Sequence, residues 1–192
     1  GRYFAILAIV ALGVGFFSGL KITKPAMIET ANKYIEEHNL FDYRIISSLG
    51  FDSIDVSKVN NLKGISTAKG EISADFLYIS KKNVVEVIRA HSITPGINDL
   101  KLEYGSMPKS SNECVADSKM FSKSDIGQTI ILSSDNTKDT LKMFKYTKYT
   151  IVGIVDSPYY LNFERGSTTL GNGTVTSFLY MDKNAFACNY YT

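Results

Sequence analysis

Apolar residues dominate the start of the 192-residue chain. Residues 3–20 read YFAILAIVALGVGFFSGL and contain no charged side chain. A helix of this length extends about 27 Å, close to the hydrocarbon thickness of a bilayer. The pattern therefore predicts a transmembrane helix over residues 1–22, surrounded by membrane lipid.

Two alternatives compete with a retained transmembrane helix. A cleaved signal peptide needs small residues at two positions before its cleavage site. Cleavage before Gly19 or Leu20 would place Phe16 or Phe17 at one of those positions. A buried helix of a soluble protein keeps a polar face, whereas this stretch is apolar all round. We therefore prefer the retained span.

Gly15 and Gly19 form a G-x-x-x-G pair inside this span. Small residues at this spacing let a second helix backbone approach closely. We therefore expect Gly15 and Gly19 to be helix-packing residues, with a partner helix in the membrane.

The flanking charges do not favour a cytoplasmic N-terminus, because Arg2 precedes the span while Lys21 and Lys24 follow it. The chain also begins with Gly rather than Met. We therefore expect it to be a fragment of a longer polypeptide.

Apolar residues continue at helical spacing after the span and predict a stalk helix within residues 23–40. They are Met27, Ile28, Ala31, Tyr34 and Ile35. Thr23 is a candidate N-cap, and proline is tolerated in a first turn, as at Pro25. The pattern leaves open whether the helix runs on from the span or restarts at Pro25. It also leaves open whether the helix projects as a stalk or packs on the domain.

The rest of the chain predicts a globular domain of the α+β class over residues 41–192. An α/β part, about 41–94, contains a strand at 42–48, a helix from an N-cap at Ser53 to Val59, and strands at 74–80 and 83–92 joined by a hairpin turn at 81–83. A β-rich part, about 95–192, has short strands at 113–116, 129–133, 149–155 and 177–181. Turns are predicted at 107–112 and 134–139, and a loop at 162–176.

Charge and composition argue against a nucleic-acid partner. The net charge is +2 and no run of like charge occurs, whereas phosphate binding needs a concentrated basic face. The two histidines, His38 and His91, are far apart in the sequence and fit no metal-binding spacing. We therefore expect no metal site.

Candidate catalytic groups are equally sparse. No G-x-S-x-G nucleophile elbow is present. Cys114 lies in a predicted strand, where a buried thiol is the ordinary case, and the sequence does not decide whether it pairs with Cys188. The glycine-rich loop at 166–173 lacks the Lys-Ser/Thr of a phosphate-binding loop. We therefore expect no catalytic residue, no cofactor and no enzymatic activity in this segment.

Several segments, taken in order, resemble the FtsX-like ABC-transporter permeases, the superfamily that includes MacB. The start RYFAILAIVALGVGFFSGLK followed by HNLFDYRIISSLGF resembles their first membrane helix and the entry to their outer domain. LKLEYGSMPKSSNECVAD, DIGQTIIL and YTIVGIVDSP resemble their core domain. The matching positions are Gly105, Pro108, Glu113, Val115, Ile126, Gly127, Ile130, Val152, Gly153 and Ile154.

The resemblance implies a permease subunit in the cell membrane, with a cytoplasmic N-terminus and an extracytoplasmic domain after about residue 22. That domain would be MacB-like, with a porter-like α/β part and a β-rich part. ATP hydrolysis would occur in a separate cytoplasmic ABC ATPase subunit, and the permease would form a homodimer or pseudo-dimer. Its motion would serve export or cell-envelope processes. A permease of this kind also needs further membrane helices, which do not appear in these 192 residues.

The main alternative is a single-span receptor or adhesion protein whose domain binds an extracellular ligand without an ATPase. A third class, a tethered cell-wall enzyme, would need polar residues that converge in a pocket. The sequence does not identify a transported or signalled substrate.

Overall fold

The computed structural model describes residues 1–81 and 83–192. Three α-helices are present in this part of the chain: α1 (Arg2–Glu37), α2 (Ser53–Asn60) and α3 (Lys138–Lys142). The strands are β1 (Ser73–Ile79), β2 (Val85–Ser92), β3 (Lys101–Gly105), β4 (Glu113–Asp117), β5 (Thr129–Ile131), β6 (Lys148–Asp156) and β7 (Ser177–Met181).

Helix α1 is continuous over 36 residues, with Pro25 in its interior. Proline removes one backbone donor and normally kinks or breaks a helix, but here the helix continues for twelve further residues. The Thr23 hydroxyl donates to the Gly19 carbonyl oxygen at 2.8 Å. Thr23 therefore lies inside the helix, and its prediction as an N-cap is wrong. The sequence left open whether the helix runs on from the apolar stretch or restarts at Pro25, and in the structure it runs on.

The first part of α1 is long and apolar enough to cross a membrane. No residue of α1 is buried. This exposed helix is followed by a domain built on a mixed sheet, as the α+β prediction expected.

All seven strands join one sheet in the order β1-β2-β7-β4-β6-β3, with β5 paired to β6. Strands β1 and β2 form the predicted antiparallel hairpin, in register from Ser73 opposite His91 to Ile79 opposite Val85. Lys82, in its predicted turn, lies outside the described residues. Strand β2 pairs in parallel with β7. Strands from both sides of residue 95 thus share one sheet, and the division into two parts there stays a prediction.

Alternating side chains give the sheet two apolar faces, as the strand period of two requires. On β7, Leu179 and Met181 join the larger cluster, which also contains Phe76, Phe144 and Tyr149. Phe178 and Tyr180 point to the other face and pack with Val115, Val155 and Tyr160. This smaller cluster, called here the second face, positions the site described below.

Three further local predictions were wrong. Residues 42–48 form no strand and pair with none of the described strands. A strand needs a partner for its backbone groups, so alternation alone does not secure one. Helix α2 is capped by Asp52, whose side chain accepts from the Asp55 amide at 2.8 Å, rather than by Ser53. Part of the turn predicted at 134–139 instead begins α3, capped by Thr137.

Two glycines quoted for the resemblance have a steric reason to be glycine. Gly105 and Gly153 face each other where β3 pairs with β6. A Cβ on Gly105 would lie 2.3 Å from the Val152 carbonyl oxygen, and one on Gly153 would lie 2.5 Å from the Ser106 carbonyl oxygen. Only glycine permits this close approach.

Candidate functional site: the joint and cleft between the long helix and the sheet

The C-terminal end of α1 is fastened to the turn that follows β2. The Asp99 amide donates to the His38 carbonyl oxygen at 2.8 Å, and the Asn98 amide donates to the Asn39 carbonyl oxygen at 2.9 Å. The Phe41 amide donates to Asn98 Oδ1 at 3.2 Å. These bonds connect residues about sixty positions apart, so the helix end moves together with the sheet. We call this set the joint.

Side chains reinforce the joint. His38 Nδ1 lies 3.0 Å from the Asp99 carbonyl oxygen, which can only accept, so Nδ1 carries the proton. Asn39 Nδ2 donates to Asp99 Oδ2 at 2.7 Å. Asn39 and Asn98 both have positive φ, 50° and 54°, a conformation that asparagine tolerates better than most residues.

Tyr34 lies one turn before the joint and packs on the His38 ring, with 4.5 Å between ring centroids. Partial burial, followed by the charge of Asp156, raises the pKa of the Tyr34 phenol. The last turn of α1 is thus close to the C-terminal end of β6, where Asp156 lies.

A cleft of about 830 Å³ separates α1 from the second face of the sheet. On the helix side it is lined, from the end nearest the apolar stretch to the joint, by Ile22, Thr23, Ala26, Met27, Thr30, Ala31 and Tyr34. On the domain side the lining residues are Asp117, Lys119, Asp156, Ser157, Tyr160, Leu161, Arg165 and Phe178. The cleft therefore follows α1 from just beyond the apolar stretch to the joint.

A buried ion pair forms the polar wall of this cleft. Arg165 Nε donates to Asp117 Oδ2 at 2.7 Å and Arg165 Nη2 donates to Asp117 Oδ1 at 3.0 Å. Both side chains are less than 5% exposed. The guanidinium carbon also lies 5.3 Å from the ring centroids of Tyr160 and Phe178. This pair holds the loop after β6 against the end of β4.

Glu71, His91 and Tyr160 form a chain of hydrogen-bonded side chains next to this ion pair. The buried His91 ring has Nε2 at 2.6 Å from the Tyr160 hydroxyl and contacts Glu71 through Nδ1. Its ring stacks on Tyr180 with 5.0 Å between centroids. A histidine between a carboxylate and a hydroxyl has the connectivity of a hydrolytic relay. Both groups are buried, however, His91 at 0% and Tyr160 at 7% exposure, and burial raises the pKa of the Tyr160 phenol.

The other candidate groups of the sequence lie apart from the cleft. Within residues 1–81 and 83–192, no three His, Cys, Asp or Glu side chains come together as metal ligands. Cys114 and Cys188 are free thiols. Cys114 is fully buried, and this burial raises its pKa.

Gly15 and Gly19 face open space, since nothing lies within 4 Å of a Cβ built on either residue. Their role in helix packing stays a prediction. Sequence reasoning missed the joint and the Arg165–Asp117 pair, which depend on long-range contacts. The only local signals were the turn at Thr94-Pro95-Gly96 and the asparagines at 39 and 98.

Comparison with known proteins adds no relative: no family model matches this chain, and no curated protein matches it.

Proposed function

We propose that this chain is the N-terminal part of an FtsX-like ABC-transporter permease subunit. Residues 1–22 span the cell membrane with the N-terminus in the cytoplasm, and the MacB-like core domain lies outside. A cytoplasmic ABC ATPase drives the motion, a second permease copy or homologue completes the assembly, and α1 transmits the motion outward for export or cell-envelope processes.

The observation that carries this proposal is the unbroken helix from Arg2 to Glu37, joined at its end to the turn that precedes β3. A hinge between span and domain would absorb displacement, because hinges are short segments that change their backbone angles. A continuous helix moves as a unit, so a tilt in the membrane displaces the joint. A receptor that only tethers a ligand-binding domain has no such requirement.

The direct test is purification of the tagged full-length protein from its native membrane in mild detergent. The proposal expects an ATPase with a phosphate-binding loop to co-purify and to hydrolyse ATP in the complex. A protein that is extracted from intact membranes without any ATPase contradicts it.

The mechanical step has its own test in that complex. ATP should change hydrogen exchange at the amides of Asn98 and Asp99 in the joint. A flexible seven-residue Gly-Ser insertion after Thr23 should abolish this response. A seven-residue Ala insertion is the matched control, because it keeps the helix and its phase to within about 20°. Equal responses in both insertion variants contradict transmission through α1.

A second candidate is the single-span receptor or adhesion protein. The cleft favours it, because about 830 Å³ lies within the usual range of small-molecule sites. Its prediction is the opposite purification result: a protein without an ATPase whose cleft binds an extracellular ligand.

A further inference from the structure

The domain folds back along α1 rather than extending beyond it. The cleft between them reaches Ile22 and Thr23, only two and three residues after the apolar stretch that ends at Leu20. If α1 spans the bilayer over residues 1–22, as the proposed function requires, this end of the cleft lies at the lipid headgroups.

The loop after β6 carries two large exposed apolar side chains on the domain side of this region. Leu161 lines the cleft and is 60% exposed, and Phe163 is 87% exposed. Lys119 also lines the cleft, and its Nζ lies 4.4 Å from the centroid of the Phe163 ring. The loop is fixed in place by Arg165, which donates to the Asn162 carbonyl oxygen at 2.6 Å and is held by Asp117.

We propose that Leu161 and Phe163 form a second membrane contact, at which the domain rests on the outer surface of the bilayer. Apolar side chains at a membrane surface enter the boundary between headgroups and acyl chains, about 5–10 Å into the lipid. The Lys119 ammonium beside the ring would lie among lipid phosphates, where cations are favoured. The occupant we propose is phospholipid, because Leu161 and Lys119 line the same cleft as Ile22 and Thr23, which follow the apolar stretch directly, and Phe163 lies beside Lys119.

A domain attached both to α1 at the joint and to lipid at the loop responds to a tilt of α1 differently from a domain attached to α1 alone. A domain held by α1 alone follows every tilt of the helix. A domain that also rests on lipid pivots about Leu161 and Phe163, so a tilt of α1 opens or closes the cleft between them.

These 192 residues contain no tryptophan, so the fluorescence of a single introduced tryptophan reports on its own position alone. Three single variants of the 192-residue chain are made: Phe163→Trp carries the loop tryptophan, Leu49→Trp the control tryptophan and Phe17→Trp the span tryptophan. Each variant is reconstituted in phosphatidylcholine vesicles that contain phosphatidylglycerol. Brominated acyl chains quench tryptophan in lipid, and iodide quenches tryptophan in water.

Leu49 is the matched control position because its side chain is 93% exposed and lies away from the cleft. It precedes Phe51, which pairs with Tyr191. Tyr191 packs against the larger cluster, on the face of the sheet opposite to the cleft. A tryptophan at position 49 therefore reports an exposed part of the domain that the proposal keeps in water.

The expected result is strong quenching of the loop tryptophan by brominated lipid, several-fold above that of the control tryptophan, with iodide quenching in the reverse order. Lipid quenching of the span tryptophan but not of the loop tryptophan overturns the second contact and leaves the span intact. A loop tryptophan shielded from both quenchers is covered by protein, which also overturns the second contact. If lipid does not quench the span tryptophan, the membrane-spanning function itself fails.

Discussion

Asp99 and His38 are sixty-one residues apart in sequence but are joined by two contacts: the Asp99 amide donates to the His38 carbonyl oxygen, and His38 Nδ1 donates back to the Asp99 carbonyl oxygen. This reciprocal pair closes the last turn of α1 onto the domain. It couples the end of the helix to the sheet, and the first prediction tests this coupling.

Loosening the joint should be visible at its amides. Asn98→Ala removes the acceptor of the Phe41 amide and forces alanine into a left-handed conformation, at a cost of roughly 1–2 kcal/mol. Hydrogen exchange at Asp99 should therefore accelerate by about tenfold or more. Asn98→Gly is the matched control, since it removes the acceptor without the backbone strain and should have a smaller effect. Unchanged exchange in Asn98→Ala would mean that the joint is held elsewhere.

The sequence predicted elements that depend on neighbouring residues in the chain, and it missed features that depend on contacts between distant residues. Strand β7 was predicted with its observed bounds, because a short, mostly apolar run after a polar loop marks a strand buried on both faces. Strand β3 was missed although KLEYG alternates polar and apolar residues; the strand is only five residues long and lies at the sheet edge, with Leu102 and Tyr104 exposed. The joint was not predicted, since hydrogen bonds between residues about sixty positions apart leave only weak local signals, such as the asparagines at 39 and 98.

The buried ion pair should be costly to break from one side. Asp117→Ala leaves the Arg165 guanidinium buried without its carboxylate, and we expect a loss of about 3–5 kcal/mol in the free energy of unfolding. Chemical unfolding of the full chain in detergent, followed by near-ultraviolet circular dichroism, measures it. The control is Asp139→Ala, because Asp139 forms an exposed pair with Lys142 and should contribute less than about 1 kcal/mol. Equal losses in the two variants would contradict the structural role of Arg165 and Asp117.

Acid should weaken a second ion pair. The hydrogen bond from Lys81, followed by the Ser122 amide, lowers the pKa of Asp125. A carboxyl whose pKa is lower in the folded state stabilises the fold above its unfolded pKa of about 3.9, and this contribution is lost as the pH falls through the folded value. Asp125→Asn should therefore destabilise the protein at neutral pH, and its difference from wild type should shrink below about pH 4.

Urea unfolding at several pH values between neutral and strongly acidic tests this pH dependence. Asp135→Asn is a suitable control, because Asp135 is an exposed turn residue outside this pair. A difference between wild type and Asp125→Asn that stays constant with pH would show that the carboxylate does not act through its charge.

Helix packing in the membrane should depend on one face of α1. If the proposed function holds, Gly15→Leu together with Gly19→Leu should disrupt assembly with the ATPase and other membrane helices, because leucine prevents close approach of the backbones. The domain should stay folded, since neither glycine contacts it. Gly13→Leu is the matched control, as it lies about 200° around the helix from Gly15. Co-purification of the ATPase measures the effect, and full recovery with the double variant would rule out this face.

Retention of α1 in the bilayer is the central claim. The decisive measurement is alkaline extraction of native membranes followed by intact mass determination of the protein. We expect the protein to remain in the membrane fraction with residues 2–20 still attached to the domain. A soluble protein in the medium, cleaved near Gly19, would contradict this claim.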